Sequence, residues 1–250
     1  MLKSYGKLSS EVYDIDKNIG SSFGDVEYYY SRVKDLDGEI LEPGVGTGRI
    51  LIPLLKEGIN ISGFDSSNEM LKVCKSNCEI NNVSTNLFID KMESFKVNKK
   101  FTGIIVPTGT FLLLYKREDS IRALENFYNH LEDSGKLIID ITFNKEIKIG
   151  DRNTRIFETE NGETILLNTE IIDIDYINQY STSINNYTKY KDGKYLSSEL
   201  EYFSMRWYGI EEFKMILEAI GFKNITMSSD YIYLKKPNKN SEIITIEAEK

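Results

Sequence analysis

Residues 39 to 48 read Glu-Ile-Leu-Glu-Pro-Gly-Val-Gly-Thr-Gly, a short apolar run, an acidic residue and glycines at Gly44, Gly46 and Gly48. The apolar-periodic run from Arg49 to Leu55 follows, so the order is strand, glycine loop, helix. Glycines at alternate positions let a backbone turn through positive φ and let a ligand approach closer than any Cβ would allow. A nucleotide-like ligand suits such a loop. The dinucleotide fingerprint spaces its glycines G-x-G-x-x-G, whereas the third glycine here falls one place early and Arg49 occupies its position; this spacing argues against NAD. A second apolar run, Ile59 to Phe64, ends in Asp65, about twenty residues beyond the first glycine, where a carboxylate accepts from ribose hydroxyls. The same carboxylate also suits the N-cap of a helix beginning at Ser66.

The elements that must hold these residues alternate from residue 38 onward. Strands are expected near 39–42, 60–64, 86–90, 101–107 and 135–142, with amphipathic helices near 48–57, 67–78 and 118–131 between them. Helices between strands imply parallel pairing and an α/β, doubly wound, Rossmann-like sheet. Ligands of such sheets bind beyond the carboxyl ends of the strands, where Glu42, Gly44, Asp65, Asp90 and Pro107 fall. Residues 153–207 lack helical periodicity, are rich in Ile, Thr, Tyr and Phe, and carry hairpin signals at Asn161-Gly162 and Asp192-Gly193; an antiparallel insert of about four strands is expected there. A helix over Ile210–Ile220, closed by Gly221, then leads to strands near 223–228 and 242–248, making a mostly parallel seven-stranded sheet. The division expected is an N-terminal helical arm over 1–37, a core over 38–149 and 208–250, and the insert over 150–207.

Composition excludes several alternatives. With 250 residues and 40% hydrophobic content, the chain can bury one substantial core. It has no apolar run of about eighteen residues and no signal-peptide core, so a cytoplasmic protein without a membrane partner is expected. A net charge of −8 opposes a broad grip on nucleic acid, because phosphate neutralisation supplies most non-specific affinity. The basic stretch Lys235-Lys236-Pro237-Asn238-Lys239 reads as a turn between strands. Cys74 and Cys78, four apart on one expected helix, with His130 far away at another helix end, leave no metal site and no disulfide framework.

The run E-P-G-V-G-T-G-R resembles the first motif of the class I S-adenosylmethionine (SAM) dependent methyltransferases, and Gly63-Phe64-Asp65-Ser66-Ser67-Asn68-Glu69-Met70-Leu71 looks like their second. The likeness extends over 39–142 and 208–249, nearest to the small-molecule branch that includes amino-sugar N-methyltransferases and glycine N-methyltransferase. It implies SAM as cofactor, with Glu42 supporting the loop, Gly44, Gly46 and Gly48 making room for the methionine end, Asp65 with Ser66 at the ribose, and Met70, Asp90 and Met92 near the adenine beside Pro107. Met70 reads equally as an ordinary core methionine at helical spacing. In that branch an N-terminal Tyr-Asp pair folds over the cofactor and a β insert roofs the substrate; Tyr13-Asp14 and residues 150–207 fill those places. Tyr13 is then the candidate catalytic hydroxyl, and Thr108, Thr110, Phe111 and Tyr208 are candidate substrate contacts. Tyr202, Phe203 and Trp207 are candidates for an aromatic roof.

Two positions depart from the family pattern. The acid after the third strand, Asp90, stands one place earlier than usual because Lys91 precedes Met92; and Leu113 occupies the place where some relatives carry His. Methyl transfer from a sulfonium is an in-line displacement on an activated carbon, so alignment and desolvation can carry it with general-base help optional. The Asp/Asn-Pro-Pro-Tyr/Phe tetrapeptide of nucleic-acid amino-methylating enzymes is absent. The expected function is methylation of a small-molecule nitrogen, or an oxygen, by a monomer or homodimer. The alternatives are a protein- or ribosome-directed methyltransferase and a SAM- or nucleotide-binding module without turnover.

Overall fold

The alternating apolar runs become strands of a single seven-stranded sheet in the order β10-β11-β5-β4-β1-β2-β3. A computed structural model of the chain describes residues 5–143 and 146–250. The first four residues of the expected arm, and Asn144 and Lys145 of the expected core segment, lie outside the described residues.

Strands β1 (Ile40–Pro43), β2 (Ile61–Asp65), β3 (Leu87–Ile89), β4 (Phe101–Val106) and β5 (Leu131–Thr142) pair in parallel, and β11 (Ile243–Glu249) pairs antiparallel with both β5 and β10 (Lys223–Ser229). Both faces of the central strands are covered, which is why β1 and β2 read as continuous buried runs rather than alternating ones. Along β4 and β5 the side chains part by alternation. Ile104, Val106, Leu137 and Ile139 join Phe127, Phe213 and Leu217 of α5 (Arg117–His130) and α6 (Ile210–Ile220) in one apolar cluster. Ile105 and Ile138 join Tyr29, Val33, Leu51 and Cys74 of α2 (Asp25–Val33), α3 (Leu51–Lys56) and α4 (Asn68–Ile80) in the other.

The chain leaves β1 for β2 on one side and returns to β4 on the other. This reversal opens the crevice that the expected ligand site requires. Strand β5 begins four residues earlier than expected, at Leu131, because Phe101 pairs with Leu131 before the register shifts to Gly103 with Lys136. The intervening Glu-Asp-Ser-Gly is absorbed as an irregularity in the strand, with Ser134 at φ 64°.

A second sheet of four antiparallel strands, β6 (Arg152–Glu158), β7 (Glu163–Asp175), β8 (Tyr180–Lys191) and β9 (Lys194–Arg206), forms from the Ile/Thr/Tyr-rich stretch. Its hairpins turn at Gly162 (φ 70°) and at Asp192-Gly193 (φ 50° and 73°), the positive φ values that such turns demand. Helix α1 (Lys7–Asp16) packs Leu8 and Val12 against Phe157, Ile165 and Tyr187 of this sheet. Gly6 offers α1 no side-chain cap; Glu199 of β9 takes over that role, accepting from the backbone N–H groups of Lys7 (3.0 Å) and Leu8 (2.7 Å). The arm is thus held down by the insert. Among the described residues no helix is long and apolar enough to cross a membrane.

Candidate active site

The turn after β1 is built on glycines in the left-handed region, Gly44 at φ 72° and Gly46 at φ 57°. A Cβ at Gly44 would lie 2.5 Å from Thr110 Cγ2 and 2.8 Å from Met92 Cε, so only glycine fits between those side chains. The loop is tied to the end of β2: Gly44 and Val45 donate to the Phe64 carbonyl at 2.8 and 3.0 Å, and Gly46 donates to Asp65 Oδ2 at 2.9 Å. Asp65 Oδ1 accepts from the Ser67 N–H at 2.8 Å. An ionised carboxylate has about four lone-pair sites, so two such bonds leave acceptor capacity on each oxygen. Burial raises the Asp65 carboxyl above its ordinary range, opposed by the backbone N–H groups of Ser67, Gly46 and Ser66.

The helix cap expected at Asp65 falls instead on Ser67, which is extended (φ −94°, ψ 118°) and whose Oγ accepts from Met70 N–H at 3.2 Å. Asp65 stands two residues ahead of the cap and orders the turn into it. That leaves its outer edge facing the crevice.

Over the carboxyl ends of β1, β2 and β4 lies a cavity of about 530 Å³, within the usual range for a small-molecule site. One half is lined by Tyr13, Gly44, Gly46, Asp65, Ser66, Met70, Asp90 and Met92, which brings together most of the residues singled out by their motifs. Asp90 sits just past β3, its N–H donating to the Asp65 carbonyl at 3.1 Å. The other half is lined by Thr110, Leu113, Leu114 and Tyr115 beneath and by Asp173, Tyr180, Thr182, Tyr202, Phe203 and Ser204 of the insert. Tyr13 closes over Gly46, its Cε1 standing 3.7 Å from where a Cβ would be. Tyr5 packs edge-on against both Tyr13 and Phe203, with ring centroids 6.2 and 6.1 Å apart. Burial raises the Tyr13 phenol above its ordinary value against the pull of the Arg49 guanidinium, so this hydroxyl stays protonated at neutral pH.

Several expected contacts lie behind the wall. Phe111 and Tyr208 are fully buried at 0% and 1% exposure, stacked on one another at 6.2 Å and packed on Phe213; Tyr208 bonds to Ser120 Oγ at 2.5 Å. They are core residues, not substrate contacts, because the helical turn after β4 directs Phe111 down between α5 and α6. Thr108 is held at φ 55° with its N–H on Asp140 Oδ2 at 2.7 Å; with Pro107 it shapes the turn under the cavity, and the Pro107 carbonyl accepts from Thr110 Oγ1 at 2.8 Å. Gly48 makes room for packing rather than for a ligand, since a Cβ there would meet Cys74 Sγ and Ile52 Cδ1 at 3.0 Å. Trp207 lines a second cavity of about 550 Å³ that shares Phe203 with the first. Glu42 is 2% exposed, its Oε2 has no hydrogen-bond partner among the described residues, and burial holds its carboxyl well above the ordinary range.

Sequence reasoning missed Tyr5, Tyr115, Asp173 and Tyr180, which no local motif marks. It also missed the buried pair in which Arg49 donates to Asp25 Oδ1 at 3.1 Å and to Oδ2 at 2.5 Å. A charged residue inside an otherwise apolar helix start was the available signal.

Residues 40–135 match the family model described as a methyltransferase domain. This stretch is therefore similar to a methyltransferase domain. The chain is 24% identical over 213 residues, 84% of each chain, to a Geobacillus sp. (strain WCH70) protein that carries a provisional methyltransferase name. Its fold is similar to the crystal structure of a SAM-dependent methyltransferase from Clostridium acetobutylicum ATCC 824, with a TM-score of 0.77, 19% identity and 96% of each chain covered. It is also similar to that of the sugar N-methyltransferase KedS8 from Streptoalloteichus sp ATCC 53650, with a TM-score of 0.73, 18% identity, and 98% of this chain and 96% of that one covered.

Proposed function

We propose that this protein transfers a methyl group from SAM to a nitrogen of a small molecule. The observation that carries the reading is one continuous cavity with two chemically different halves, a glycine-and-carboxylate half over the parallel sheet and an aromatic half under the insert. The first half fits SAM: Gly46 leaves an approach to bare backbone, Asp65 retains acceptor capacity for ribose hydroxyls, Asp90 stands at the far end for the adenine amino group, and the orphaned Glu42 carboxyl lies beneath the loop. When bound, SAM supplies a methyl group already activated on a sulfonium centre. The chain's own residues then have to exclude water and align the acceptor. In this reading the arm closes the site through Tyr5 and Tyr13, the insert covers the acceptor, and Tyr13 donates a hydrogen bond near the methionine carboxylate or the acceptor.

Enclosure of the aromatic half under β7, β8 and β9 favours a small acceptor over a protein or ribosomal side chain. The test is calorimetric titration with SAM, S-adenosylhomocysteine and NAD, followed by a methyl-acceptance screen of amines and phenols. Binding of both sulfur nucleosides without NAD, and turnover with amines, is the expected result. Binding without turnover on any acceptor would support a sensor module instead, and no binding would remove the cofactor assignment.

A further inference from the structure

Strand β7 pairs with β8 in steady antiparallel register as far as Ile171 opposite Ser183, and then slips so that Asp173 stands opposite Thr182. Without that slip the ladder would set Ile172 opposite Thr182 and Asp173 opposite Ser181. Bulges of this kind re-aim a side chain, often beside a functional site. Here the slip exchanges an isoleucine for a carboxylate at the cavity: Asp173 lines it together with Thr182 and Ser204, whose hydroxyls bond to each other at 2.8 Å.

Asp173 has no hydrogen-bond or ion-pair partner among the described residues. Its neighbour Asp175, two places along the strand, is the opposite case, accepting from the backbone N–H groups of Ile177 (3.0 Å) and Asn178 (2.8 Å) and from Asn178 Nδ2 (2.7 Å). One acid closes a turn and the other is spare. Beside the spare one, the rings of Tyr115 and Tyr180 meet at 5.3 Å with a 59° tilt, and both line the same half of the cavity. Burial and the carboxylates of Asp175 and Asp173 raise the Tyr180 phenol, which places its hydroxyl within the field of Asp173. Among the described residues that line the cavity, the ionisable side chains besides tyrosines are Asp65, Asp90, Glu93 and Asp173 against Lys91 alone, and the position where a histidine would bring a cation is Leu113.

We infer that Asp173, with the ring faces of Tyr115 and Tyr180, binds a positively charged ammonium group of the methyl acceptor, which makes the acceptor an aliphatic amine rather than a phenol or a carboxylate. A carboxylate and electron-rich ring faces both attract a cation. The inference rests on the proposed methyl-transfer role of this cavity and names its acceptor class. The Asp173 side of the site is open to solvent, so the ammonium proton leaves to water there before the nitrogen lone pair attacks.

Choline and its uncharged isostere 3,3-dimethyl-1-butanol are suitable probes, titrated calorimetrically into the full chain with and without saturating S-adenosylhomocysteine. The expected result is choline binding at least about tenfold tighter than the isostere, with the ratio falling to near one in Asp173→Asn and kept in Asp175→Asn. A ratio near one in the wild type, or a ratio untouched by Asp173→Asn, overturns the ammonium site. The S-adenosylhomocysteine titration is read separately. Its failure would remove the methyl-transfer reading, while the choline ratio in the unloaded protein would still judge Asp173.

Discussion

Asp65 does two things with one carboxylate: it pins Gly46 through a backbone hydrogen bond and orders the entry into α4 through Ser67, which leaves its remaining lone pairs toward the cavity. A buried charged acceptor on a ribose hydroxyl is worth about 1.5–3 kcal/mol, so Asp65→Ala is expected to weaken SAM binding by more than tenfold by calorimetry, and an unchanged dissociation constant would take Asp65 out of the site. Gly46→Val is expected to abolish binding outright, since it combines φ 57° with a side chain pointed at Tyr13 and the ligand space. Both positions were singled out by spacing alone, and both line the cavity. The placement of Phe111 and Tyr208 was not legible, because an aromatic residue beside a motif has the same one-letter pattern whether it faces ligand or core; packing on Phe213 decided between them.

Strand β5 ends in a buried carboxylate that joins three elements. Asp140 accepts from Thr108 N–H at 2.7 Å, Tyr231 Oη at 2.9 Å and Thr245 Oγ1 at 2.7 Å, and so fastens the turn under the cavity to β5 and β11. Burial nevertheless pushes its carboxyl up to about 6 from an ordinary 3.8. The folded state therefore holds this proton more tightly than the unfolded state. The associated stability is fully present below about pH 4 and is lost as pH rises to about 6, a change of roughly 3 kcal/mol at about 1.4 kcal/mol per unit. Denaturant unfolding of wild type and Asp140→Asn across this window is expected to show a steeper downward slope in the wild type, since the raised Asp65 and Glu42 carboxyls remain in both; parallel curves would mean that the hydrogen bonds outweigh burial. The bulge in β7 belongs here too. Ile171 and Ile172 precede Asp173 at the slip, but the equal apolar run Ile165 to Leu167 passes in regular register, so the slip was not legible in the sequence.

The N-terminal segment, the parallel sheet and the insert are joined by contacts between residues far apart in sequence. Arg49, next to the glycine loop, makes a buried pair with Asp25 of α2, at 3% and 0% side-chain exposure; burial pushes Asp25 up, but the hydrogen bonds and charge of Arg49 outweigh it and hold the carboxyl below its usual range. Removing one partner leaves an uncompensated buried charge, so Arg49→Met is expected to cost about 3–5 kcal/mol in denaturant unfolding, and Arg49→Met combined with Asp25→Leu is expected to recover most of that loss. A double variant as unstable as the single one would show that the pair is needed for more than charge balance. By itself the sequence determined the strand and helix order, the glycine loop, Asp65 and the four-stranded insert, because each depends on local periodicity, φ demands or turn chemistry within a few residues. Tertiary structure alone decided that Glu199 caps α1, that Arg49 meets Asp25, that Tyr5 packs on both Tyr13 and Phe203, and that a register slip turns Asp173 into the cavity. Those outcomes depend on distances between segments separated by tens to hundreds of residues, which the chain acquires only on folding.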